Sequence, residues 1–175
     1  EPDGTMWFAT GFMFELGNGV SRFDPKSRTF VNFDPVDGLA HKIVPAMHLA
    51  PDRVLWFGSN GNGLSRYDGK SFWNLTRKDG LIADLTHSVF RDADGSIWFG
   101  SGSAREYAGA WRFDGHDLVN FSVRLGLPLD SYRAVIRDPW GELWVHALDK
   151  GVCQFKGPSA TRLPFDASTL SATLV

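Results

Sequence analysis

Short stretches in which apolar and polar residues alternate run the length of the chain, separated by clusters of Gly, Asp, Asn and Pro. A period of two is the mark of a half-buried β-strand, and no stretch sustains the 3.6-residue period of an amphipathic helix. The pattern therefore predicts a succession of short strands. One of them recurs as Met6-Trp7-Phe8-Ala9, Leu55-Trp56-Phe57-Gly58, Ile97-Trp98-Phe99-Gly100 and Leu143-Trp144-Val145-His146. A second follows each time, as Gly19-Val20-Ser21-Arg22-Phe23-Asp24, Gly63-Leu64-Ser65-Arg66-Tyr67-Asp68, Gly109-Ala110-Trp111-Arg112-Phe113-Asp114 and Gly151-Val152-Cys153-Gln154-Phe155-Lys156. A third reads Phe30-Val31-Asn32-Phe33, Phe72-Trp73-Asn74-Leu75 and Leu118-Val119-Asn120-Phe121, and apolar runs at 43–49, 85–90 and 132–136 precede the later Trp phrases.

Each unit thus holds four segments, a to d, with Trp on b, and the Trp residues return at intervals of roughly 40 to 50 residues, the signature of a propeller blade. Strands a and b meet on Asp-Gly turns such as Asp94-Gly95, where Gly supplies a positive φ. Strands c and d meet on turns such as Asp68-Gly69-Lys70 and Asp114-Gly115-His116. The reading is an all-β chain, a β-propeller of about four four-stranded antiparallel blades in one region, 1–175, with repeats near 1–42, 43–84, 85–131 and 132–175. Read as a circle, Ala172-Thr173-Leu174-Val175 ahead of Asp3-Gly4-Thr5-Met6-Trp7 mirrors Ala134-Val135-Ile136-Arg137 ahead of Trp144. Either that segment completes the first blade, or the blade's strand a belongs to a longer array.

Composition narrows the function more than the fold. The 175 residues are 43% hydrophobic and 22% charged, which suits a packed core. A net charge of -2 lacks the basic footprint of a nucleic-acid binder or a polybasic membrane patch. No apolar run approaches the roughly 20 residues that span a bilayer, so no direct membrane insertion is expected. Cys153 is the single cysteine, which excludes an internal disulfide and a cysteine zinc cluster.

Candidate chemistry is sparse. The recurring Trp residues read as blade-to-blade packing, since a ring of this size at a fixed strand position is what such packing requires. Asp92-Ala93-Asp94-Gly95 lacks the distal ligands of a calcium loop, and the glycine-rich 58–63 stretch lacks the Lys and helix of a phosphate cradle. Histidines 41, 48, 87, 116 and 146 have no metal-ligand spacing, and no nucleophilic triad can be assembled. Neither a metal nor a cofactor is implied. Binding should lie where the repeats disagree, on loops held by the rigid scaffold. Two b–c loops are enlarged: one carries Phe12 and Phe14, the other Arg105, Glu106 and Tyr107. The adjacent d–a segments offer His41, Asp130, Tyr132 and Arg133 at the same end, and His146 replaces the Gly or Ala that ends the other b strands. These ten residues supply aromatic faces and polar donors suited to a polar ligand.

The phrases resemble the two-component regulator propeller repeat, which reads Asp-x-x-Gly-x-Leu-Trp-aromatic-Gly-Thr and then Gly-Gly-Leu-x-Arg-aromatic-Asp. Residues 96–101 and 63–68 match it closely; Ala9, His146 and Gln154-Phe155-Lys156 depart from it. The resemblance implies a larger, often seven-bladed ring in the extracytoplasmic (periplasmic) sensor region of a bacterial histidine kinase, a possible carbohydrate or other small polar ligand, and no catalysis in this segment. The partners it implies are missing blades and downstream kinase domains of the same protein. The alternatives are a propeller lyase or hydrolase similar to the virginiamycin-lyase group, or a structural protein-interaction module.

Overall fold

The structure is a computed structural model that describes residues 1–11, 17–103, 106–124, 131–148, 151–156 and 159–162. The alternating stretches form antiparallel sheets. The first holds β1 (Met6–Ala9), β2 (Val20–Asp24) and β3 (Thr29–Phe33) in that order. The second runs β4 (Ala46–Leu49), β5 (Leu55–Gly58), β6 (Leu64–Tyr67) and β7 (Phe72–Leu75). The third runs β8 (Thr86–Arg91), β9 (Ile97–Ser103), β10 (Glu106–Phe113) and β11 (Leu118–Asn120). The fourth runs β12 (Tyr132–Arg137), β13 (Leu143–Ala147), β14 (Gly151–Lys156) and β15 (Ser159–Arg162). Strands a to d are thus neighbours in chain order, the meander of a propeller blade. β4 lies beside β8 and β8 beside β12, so the a strands are innermost.

The first sheet departs from the four-stranded expectation: it has three strands, with β1 at one edge. Residues 172–175 lie outside the described residues. The expected fourth segment of the third unit also ends early. The strand stops at Asn120, whose Oδ1 accepts from Val123 N at 3.1 Å and caps a single helical turn, α1 (Phe121–Arg124).

Three apolar cores fill the gaps between sheets, and each joins the same two faces. Trp56 and Leu64 of the second blade meet Val89, Ile97 and Phe99 of the third. Trp98 and Ala110 of the third meet Tyr132, Val135 and Val145 of the fourth. Trp7 and Phe33 of the first pack on Phe57 and Tyr67 of the second. The packing role read for the indoles at 7, 56 and 98 is the observed one.

Close approach explains the glycine that ends strand b. A Cβ on Gly58 would lie 2.6 Å from the Thr86 carbonyl oxygen, and one on Gly100 would lie 2.5 Å from that of Tyr132. The next blade's inner strand comes too near for any side chain. Among the described residues no blade follows the fourth, and His146 stands at this position there.

Candidate functional site

The predicted residues belong to the end of the blades built by b–c and d–a loops. Phe12, Phe14, Arg105 and Asp130 lie outside the described residues. Glu106 and Tyr107 open β10, opposite Ser103 and Gly102 of β9. His41 is held by its own backbone: Nδ1 accepts from Ile43 N at 3.1 Å, and its ring lies against Gly61. Asn62 Nδ2 donates to Ala40 O at 3.0 Å and Asn60 N to Ile43 O at 3.0 Å, tying the second b–c loop to the segment that carries His41. His146 is half-buried on β13.

Tyr132 is placed differently from a ligand contact. It is 1% exposed and lies in the core between blades three and four. A bulge between Tyr132 and Ala134 shifts the register there, leaving Tyr132 inside and Arg133 half-exposed.

Arg133 meets a residue that the sequence did not single out. Its Nη1 lies 3.2 Å from His87 Nδ1 and 2.9 Å from Nε2, so the guanidinium lies across the imidazole. His87 Nε2 is 2.7 Å from the Gly102 carbonyl, which also accepts from Ser131 Oγ at 3.0 Å. Burial and then the Arg133 charge push the His87 pKa below its ordinary value, against the pull of the Gly102 carbonyl. A neutral ring that donates through Nε2 to the Gly102 carbonyl leaves Nδ1, 3.2 Å from Arg133 Nη1, as its acceptor. Nothing local in Thr86-His87-Ser88 announces this pair, because it forms only where two inner strands come side by side.

The opposite end carries two grooves at equivalent blade junctions. A cavity of 280 Å³ lies between blades two and three, lined by Trp56, Arg66 and Trp73 on one side and Ile97, Phe113 and Asp114 on the other. One of 240 Å³ lies between blades one and two, lined by Glu1, Trp7 and Arg22 facing Leu55, Tyr67 and Asp68. The cross-strand pairs Trp56–Arg66 and Trp7–Arg22 put a guanidinium beside each indole. At the rims, Asp114 and Asp68 accept from backbone N–H groups of their own turns, which hold both carboxyls below the usual range. Trp73 stacks on Phe113 at 5.8 Å and 20° across the junction, yet stays 42% exposed. Valines 31 and 119 take its place in the neighbouring units, so this difference between repeats was visible in the sequence.

No protein family and no curated protein matches the sequence. Solved structures do match. The extracellular domain of a protein described as a hybrid two-component system of B. thetaiotaomicron superposes with a TM-score of 0.65 at 21% identity, over 78% of this chain and 19% of its own. Another from the same organism gives 0.73 at 16% identity, over 98% and 22%. PorZ, a surface component of the type-IX secretion system of Porphyromonas gingivalis, gives 0.58 at 14%, over 89% and 25%. The chain spans about a fifth to a quarter of the length of these proteins. At such identities the likeness is one of fold: the chain is a run of four β-propeller blades of the kind found in these extracellular and cell-surface proteins.

Proposed function

We propose that the chain is part of the extracytoplasmic sensing region of a bacterial two-component receptor, a section of a larger propeller that binds a small polar ligand and performs no chemistry itself. The observation that carries this reading is the likeness, over nearly the whole chain, to extracellular domains of two-component systems. No helix among the described residues is long and apolar enough to cross a membrane. In this reading the phosphotransfer chemistry belongs to kinase domains of the same protein, and further blades complete the ring. The ligand end in this reading is the b–c and d–a end, where Arg133 meets the His87 imidazole; the order of the repeats assigns Phe12, Phe14, His41, Arg105, Glu106, Tyr107 and Asp130 to loops of that same end.

A panel of mono- and oligosaccharides titrated onto the purified chain tests this. Saturable binding that is lost in Arg133→Ala, Arg105→Ala or Tyr107→Ala is the expected result. Absence of saturable binding across the panel would remove the ligand part. The fold likeness to PorZ, a surface component of a secretion system, suits a second reading, a structural protein-interaction module. A stable partner complex that persists in those same three variants would select it.

A further inference from the structure

The indole N–H groups of the four recurrent tryptophans do not all find an acceptor. Trp7 Nε1 donates to the Glu1 carboxylate at 2.8 Å. Trp144 Nε1 donates to Asp138 Oδ2 at 2.8 Å. Trp98 Nε1 is buried without a partner, because the aspartate at the matching turn, Asp92, is gripped by Arg137 of the next blade. Trp56 has no such carboxylate, since Ala50 stands at that turn.

The equivalence of those turn positions is structural. Ala50 N donates to Val54 O at 2.9 Å, as Asp92 N does to Ser96 O at 2.8 Å and Asp138 N to Glu142 O at 2.9 Å. Among the described residues no acceptor meets Trp56 Nε1, and Trp56 lines the 280 Å³ groove. Beside it, the only charged partner of Arg66 among the described residues is Asp68 at 3.6 Å, beyond hydrogen-bond length. The neighbouring groove shows what such a pair of donors takes: there the Glu1 carboxylate fills the place, with Trp7 donating to it and Arg22 on the same wall.

We propose that the groove between blades two and three is a binding site for a small carboxylate carried on a hydroxylated ring, the chemistry of a hexuronic acid. The carboxylate takes the place that Glu1 fills next door, accepting from Trp56 Nε1 and Arg66. The ring lies on the exposed indole of Trp73, which Phe113 holds flat. The ionised Asp114 on the opposite wall accepts ring hydroxyls, and a wholly apolar acid would strip it of water with nothing in return. The site is at the opposite end from the loops invoked above and stands independently of them.

Titration of the chain with sodium glucuronate, followed by tryptophan fluorescence, tests the site against two probes that each lack one half of the chemistry: glucose without the carboxylate and acetate without the ring. Glucuronate is expected to bind saturably and at least about tenfold more tightly than either, the worth of one charge-assisted hydrogen bond. Trp73→Ala and Arg66→Gln, both at half-exposed positions, should each weaken it about tenfold or more. Ala50→Asp should supply Trp56 with an internal acceptor and abolish binding. If Ala50→Asp does not fold, the two half-exposed variants decide alone. Equal binding of glucuronate and acetate, or no saturable binding, overturns the proposal. So does loss of binding in Arg133→Ala with Trp73→Ala unaffected, which would move the ligand to the other end and leave the sensor reading intact.

Discussion

Phe8 and Phe57 occupy the same position of the same repeat, yet Phe57 is 0% exposed and Phe8 is 44% exposed. Two residues earlier, on the same face, the contrast repeats, with Leu55 sealed and Met6 open. On the first blade Phe8 and Phe23 each meet the exposed ring of Phe30 across their own sheet. On the second blade the same face is roofed by Trp7 and Phe33 of the first. A blade carries a Trp face and a Phe face in its sequence, but burial belongs to pairs of blades. In such arrays the interfaces between neighbours hold much of the stability.

Truncation should expose the contrast most strongly. Phe57→Ala is expected to cost about 3–5 kcal/mol in urea unfolding, by lost transfer energy and a cavity. Phe8→Ala should cost under about 1 kcal/mol, as a change at an open surface. Equal costs would mean that the first blade's outer face is covered in solution.

The end of strand b gives a second pair. Gly100→Ala places a methyl against the Tyr132 carbonyl, 2.5 Å from the Cβ, and should cost about 1–3 kcal/mol. His146→Gly, at the matching site with no following blade described, should stay within about 1 kcal/mol. Thermal melts of both variants check this, and a harmless Gly100→Ala would refute the close approach of the blades.

Ion pairs offer a third. Arg137 reaches across the third junction to Asp92, whose side chain is buried, with Nε 2.8 Å from each carboxylate oxygen. Asp92→Asn should cost about 1–2 kcal/mol. Within blade three, Arg112 meets Asp94 at 3.1 Å on an open surface, and Ser96 chiefly, with Arg112, takes the Asp94 pKa down to about 2. Asp94→Asn should cost about 0.5 kcal/mol or less. A double-mutant cycle at each pair measures the difference.

The smallest effect is a pH dependence. The folded chain holds a proton on His87 less readily than the unfolded chain, so protons favour unfolding. Stability is therefore complete above the ordinary value of 6.5 and declines as pH falls below it. His48 on β4 is shifted in the same direction by burial and by Arg91. His87→Gln should flatten the decline between pH 7 and pH 5 without removing it, and an unchanged slope would show that the Arg133 contact does not form in solution.

Much of the fold was legible in the residues. The alternation around each Trp, the Asp-Gly turns and the recurring Gly at the start of strand c gave the four-segment meander, because each is a local demand of backbone and pleat. Trp73 was legible as a departure from Val31 and Val119. The candidate sites were far less so. The Arg133–His87 contact joins residues 46 apart in sequence, and the bulge that sends Tyr132 inward leaves no mark in the run 132–136. That Trp56 lacks the aspartate of its counterparts could have been read from Ala50, but only once the turns were known to superpose.

What the sequence determined by itself is the repeating unit: four short strands, one Trp face and one Phe face, since side-chain alternation and turn chemistry act within a few residues. Only the tertiary structure decided which faces are sealed, which glycine tolerates no Cβ and which indole is left without an acceptor. Those properties depend on how near the next blade comes, and that distance is set by packing between units that the chain holds more than 40 residues apart.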